Sequence, residues 1–99
     1  MENLQVFKYE NNNVRTVEMN GEPWFVLKDV CKALGIAKYR DVADRLDADE
    51  RAPVRVDTLG GAQEMICINE SGLYNVILRS DKPAAKPFRK WVTAEVLPA

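Results

Sequence analysis

Ninety-nine residues, 46% hydrophobic and 29% charged, suit one small globular domain over 1–99; they exclude a disordered tail and a multi-domain catalytic architecture. Lys and Arg number 14 against 15 Asp and Glu, a net charge of −1, so any nucleic-acid contact has to come from a local patch. His is absent, which removes the usual general base, the usual zinc ligand and the partner of a Ser or Cys nucleophile; no enzyme, metal site or cofactor is expected.

Leu4 to Tyr9 is spaced as a strand, with Glu10-Asn11-Asn12-Asn13 as turn residues before a second strand, Val14 to Met19. Val6, Phe7, Val14 and Val17 are expected on that hairpin's apolar side. Asn20-Gly21 is the strongest hairpin signal in the chain, because a type I′ turn needs positive φ at both central residues, and it leads into a third strand through Pro23-Trp24-Phe25-Val26.

Leu27, Val30, Cys31 and Leu34 then fall at i, i+3, i+4, i+7, the stripe of an amphipathic helix that Gly35 is placed to end. Tyr39, Val42, Ala43 and Leu46 repeat the spacing, predicting a second helix from Lys38 to Leu46, with Asp47 to Glu50 as a loop. Pro53 to Leu59 and Gln63 to Ile68 read as a hairpin turning at Gly60-Gly61. Asn69 is placed to cap a third helix that ends near Ser80. Ser80 or Asp81 is placed to cap a fourth, with Pro83 in its first turn, Phe88, Trp91, Val92 and Val96 on its inner face and Pro98 as its stop. The expected fold is α+β, in the order βββαα then ββαα.

Cys31 and Cys67 lie in apolar runs and read as buried small hydrophobes in a reducing, cytoplasmic compartment. No apolar stretch reaches the roughly 18 residues of a membrane span, and Glu2-Asn3 do not begin an export signal.

The first helical pair has the outline of a helix-turn-helix, but its second helix carries Asp41, Asp44 and Asp47 beside Arg40 and Arg45, and those carboxylates would repel phosphates. Asp41, Asp44, Asp47, Asp49 and Glu50 are expected as a solvated acidic face or a partner-binding surface. They do not make a calcium loop, because Ala52 and Thr58 stand where its glycine and glutamate belong. Positive charge gathers instead at Arg79, Lys82, Lys86, Arg89 and Lys90, against Asp81 alone. At helical spacing Lys82, Lys86, Arg89 and Lys90 project away from Phe88, Trp91 and Val92, so they suit successive phosphates while the aromatics stay in the core. Lys38 and Arg40 are weaker candidates for the same contacts.

Three separated motifs carry a resemblance: Gly21-Glu22-Pro23-Trp24-Phe25-Val26 with Asp29-Val30 and Ala33-Leu34-Gly35; Ile68-Asn69-Glu70-Ser71-Gly72-Leu73-Tyr74; and Phe88-Arg89-Lys90-Trp91-Val92 with Glu95-Val96-Leu97-Pro98. Together, from about Val6 to Pro98, the chain resembles the Bro-N domain, the amino-terminal module of phage and prophage antirepressors and of baculovirus Bro proteins. The resemblance implies a DNA-binding or regulatory module in the switch between lysogeny and lytic growth, cut from a longer protein with a different carboxy-terminal domain. It brings no catalytic residues.

Ile36-Ala37-Lys38-Tyr39 departs from the family pattern after the Leu-Gly pair, as does Pro87 in the last helix. Double-stranded DNA is the partner that the resemblance and the basic segment imply, in the cytoplasm of a bacterium carrying the phage. A phage repressor protein, captured by the acidic segment or an exposed sheet edge, is the alternative. A homodimer is compatible with either, although no heptad seam marks one.

Overall fold

The computed structural model describes residues 3–98. Three strands open the fold: β1 (Asn3–Tyr9), β2 (Asn12–Met19) and β3 (Glu22–Val26). Helices α1 (Leu27–Leu34) and α2 (Tyr39–Asp44) follow, then a 3-10 turn over Ala48–Glu50. The hairpin β4 (Arg51–Thr58) and β5 (Gly61–Ile68) leads to α3 (Glu70–Arg79) and α4 (Ala85–Trp91), which continues as a π turn over Val92–Val96. This is the α+β order read from the sequence.

All strand pairs are antiparallel, in the order β1-β2-β3-β5-β4. Asn20 and Gly21 take φ of 52° and 78°, the two positive values that an Asn-Gly hairpin turn needs. β3 joins the two hairpins through Phe25 opposite Ile68 and Val26 opposite Cys67, so the sheet is narrowest at its seam.

Period-two alternation gives the sheet two apolar faces. Tyr9, Val14, Phe25 and Ile68 join Leu27, Val30, Leu34, Leu73, Val76, Phe88 and Val92 in the core beneath the helices. Val17, Val26, Val54, Val56 and Cys67 form a smaller cluster, edged by the half-buried Met19, Trp24 and Met65. Val6, Phe7, Val14 and Val17 therefore do not share one side. Phe7 lies opposite Val14 and packs on the helical core, Val17 is three residues on and faces the other way, and Val6 is 56% exposed.

α1 ends where Gly35 takes φ of 81°; the Gly35 and Ile36 N–H groups reach the carbonyls of Lys32 and Cys31 at 3.2 and 2.8 Å. The second hairpin turns at Leu59-Gly60 rather than Gly60-Gly61, because Gly61 pairs with Thr58 and already opens β5. α4 begins a turn later than Ser80 or Asp81 would place it. Pro83 precedes it, and Pro87 occupies its third position, where a backbone N–H has no intrahelical acceptor to lose. Both cysteines are buried and neither is in a disulfide, and burial pushes the Cys31 thiol up to about 11. No described helix is long and apolar enough to cross a membrane.

Candidate nucleic-acid interface

The basic segment is presented by α3, the turn after it and α4. Asn69 caps α3 by accepting the Gly72 N–H at 2.9 Å, while its own amide donates to the Asp49 carbonyl at 2.9 Å. Glu50 adds a second anchor. It is 6% exposed, which corrects its place in a solvated acidic face; Asp41, Asp44, Asp47 and Asp49 do lie exposed. Its Oε2 accepts the Ser71 hydroxyl at 2.7 Å, and its Oε1 accepts the Asp47 N–H at 3.0 Å and the Asn75 amide at 3.3 Å. The Ser71 bond, the Asp47 N–H, the Asn75 amide and the Arg79 charge together hold the Glu50 carboxyl below the usual glutamate range, against the opposing effect of burial. Segment 47–50, expected as a loop, is thus a bolt between the sheet and α3.

Beyond α3, the Ser80 hydroxyl accepts the Lys82 N–H at 3.2 Å and the Lys82 carbonyl accepts the Ala85 N–H at 3.1 Å, which turns the chain into α4. An aromatic cluster fixes the roll of that helix. Tyr9 lies 5.2 Å from Phe88 and 5.1 Å from Trp91 between ring centroids, and Phe7 meets Trp91 edge-on at 6.5 Å. With Phe88 and Val92 fully buried in the core beneath the helices, Lys86, Arg89 and Lys90 face solvent at i, i+3, i+4.

The seven residues singled out from sequence fall into three groups. Lys86, Arg89 and Lys90 share α4. Arg79 and Lys82 edge a cleft of about 210 Å³ floored by Ile36, Val42, Leu46 and Val76, and Arg45 stands at the same cleft. Arg40 lies elsewhere, in a depression with Lys28, Asp44 and Arg51, its guanidinium 5.8 Å from the Tyr39 ring centre; Lys38 lines neither hollow. Sequence reading passed over Arg45 as a site residue because its neighbours in the chain are acidic, whereas its neighbours in space come from α3 and the turn after it.

Among the described residues the ion pairs within 4.0 Å are Arg15 with Asp29 and Arg51 with Asp44, so the cations of α3, the turn and α4 keep their donors available. Such a surface can neutralise oxyanions by charge and hydrogen bonding.

Comparison with known proteins gives the family. The chain is 38% identical over 97 residues to an uncharacterized protein of Haemophilus influenzae, a match covering 96% of this chain and 48% of the relative. It is 32% identical over 99 aligned positions to a Bro-N domain-containing protein of Invertebrate iridescent virus 6, covering 78% of this chain and 23% of that protein. The chain therefore spans about half or less of the curated relatives it matches, and no solved structure matches it. The family model for the BRO family, N-terminal domain, matches residues 13–98, nearly the whole fold and all of the basic segment, and the chain belongs to that Bro-N family.

Proposed function

We propose that this chain is a DNA-binding regulatory domain of a phage or prophage antirepressor, acting on the lysogeny-lysis switch in the bacterial cytoplasm. The observation that carries the reading is α4: Lys86, Arg89 and Lys90 stand on one exposed face, in no ion pair within 4.0 Å among the described residues, on a helix fixed by its buried aromatics. Arg79 and Lys82 extend the positive surface, and Arg45 joins them at the cleft. Docking is by phosphate contact, and no base-reading helix is involved, since α2 has six residues and carries Asp41 and Asp44. Lys38 and Arg40 serve at most as peripheral contacts.

The test is fluorescence anisotropy of a labelled duplex at ~50 and ~200 mM salt, where three phosphate contacts give a slope of log K on log salt of about −2.7. Binding with such a slope supports the reading, and no binding at the lower salt refutes it. The second reading, capture of a repressor protein, is favoured by the net charge of −1 and by the exposed Asp41, Asp44, Asp47 and Asp49.

A further inference from the structure

The cleft of about 210 Å³ between α2 and α3 holds more than phosphate contact requires. Its floor is apolar: Leu46 and Val76 are buried, while Ile36 and Val42 are only half-buried and leave apolar surface open in the cleft. Phosphate oxygens take charge and hydrogen-bond donors and gain nothing from such a floor, so DNA contact accounts for Arg79 and Lys82 but not for what lies beneath them. Arg45, at the end of α2, Arg79, at the end of α3, and Lys82, in the turn after it, are all exposed at the rim, against Asp81 alone. Two neutral polar groups complete the lining. Asn75 donates its amide to Glu50 at 3.3 Å, which leaves its carboxamide oxygen to accept from an occupant. The Ser80 hydroxyl accepts the Lys82 N–H at 3.2 Å, which leaves its proton to donate. An acceptor and a donor on the α3 side suit the N–H and C=O groups of a peptide backbone. Pockets for drug-sized ligands span roughly 300–1,000 Å³, so this smaller cleft suits one large side chain rather than a whole cofactor.

We infer that the cleft captures a peptide segment of a partner protein in which one large aliphatic or aromatic residue is flanked by aspartate or glutamate. The apolar side chain fills the floor, the flanking carboxylates meet Arg45, Arg79 and Lys82, and the backbone between them bonds Asn75 and Ser80. Charge names the occupant: three cations against one carboxylate attract an acidic segment and repel a basic one. Arginine can pair with a carboxylate through two parallel hydrogen bonds, which adds geometric selection to the charge. Capture here differs from capture by the exposed aspartates of segment 41–49, which would take a basic partner. It also does not depend on DNA contact by Lys86, Arg89 and Lys90, which stand on α4 outside the cleft.

Random heptapeptides displayed on phage, selected against the domain, test it. Enriched peptides are then labelled and titrated by fluorescence anisotropy with the domain and with its Arg45→Glu/Lys82→Glu and Arg55→Glu variants. All three positions are exposed, and circular dichroism checks each fold. The enriched peptides are expected to carry a large apolar residue beside Asp or Glu. They should bind Arg45→Glu/Lys82→Glu at least about tenfold more weakly, and Arg55→Glu, a charge reversal on β4, within about twofold of the parent. No enrichment, or enriched peptides without that pattern, overturns the proposal, and so does an equal loss in both variants. If Arg45→Glu/Lys82→Glu loses duplex affinity while peptide binding is unchanged, the cleft belongs to the DNA surface and the proposal is likewise overturned.

Discussion

Asp29, in the first turn of α1, accepts three hydrogen bonds from Arg15 of β2: the backbone N–H at 3.0 Å, Nε at 2.7 Å and Nη2 at 2.9 Å. The pairing of β2 with β3 stops at Thr16 opposite Phe25, because β3 then runs into α1. A carboxylate on the new helix takes the next N–H and the guanidinium together. This one contact fixes the angle at which α1 leaves the sheet. Asp29→Ala is expected to destabilise the domain by about 2–4 kcal/mol, since it strands a half-buried guanidinium and a backbone donor. Asp29→Asn, which keeps one acceptor oxygen, should cost less, and urea denaturation of the two variants measures the difference.

Gly72 gives a prediction of unexpected sign. It lies within α3, where alanine normally favours the helix by about 1 kcal/mol. A Cβ at this position would stand 2.8 Å from the Glu50 carbonyl oxygen and 3.1 Å from the Ile68 Cβ. Gly72→Ala is therefore expected to destabilise by about 1–3 kcal/mol, as overpacking does. A raised thermal midpoint would show that α3 does not rest on the 47–50 turn as described.

Glu50 makes stability depend on acid. Its native carboxyl is held below the ordinary glutamate range, so its stabilisation is complete above that range and is lost as pH falls through the depressed native value. At neutral pH, Glu50→Gln is expected to be less stable by about 1–3 kcal/mol, through loss of charge-assisted hydrogen bonds. The gap between the two proteins should close in acid. Denaturation curves at a series of pH values check it, and a gap that stays constant across the acid range would contradict the assignment.

These contacts also mark where sequence reading reaches and where it stops. The Asn20-Gly21 turn, the Gly35 helix end and the Asn69 cap were legible because each is set by residues within a few positions, through φ sign or a side-chain oxygen. The role of Glu50 was not legible. Its partners Ser71 and Asn75 lie 21 and 25 residues away, and in the chain it looks like one more member of an acidic run. Arg15 and Asp29, 14 residues apart, were hidden for the same reason. The exposed face of α4 was legible from helical spacing even though the start of that helix was displaced, since Phe88, Trp91 and Val92 set its roll wherever it begins. Arg45 could be assigned to the cleft only once the packing of α2 beside α3 was known.

The central claim is that α4 meets DNA phosphates, and duplex affinity of a Lys86→Glu/Lys90→Glu variant tests it most directly. Both side chains are exposed, so the fold should be unchanged by circular dichroism. The account predicts that binding at ~50 mM salt falls at least about tenfold in this variant, while Lys38→Glu/Arg40→Glu, away from the helix, changes it far less. Unchanged affinity in the α4 variant, or an equal loss in both, would contradict it.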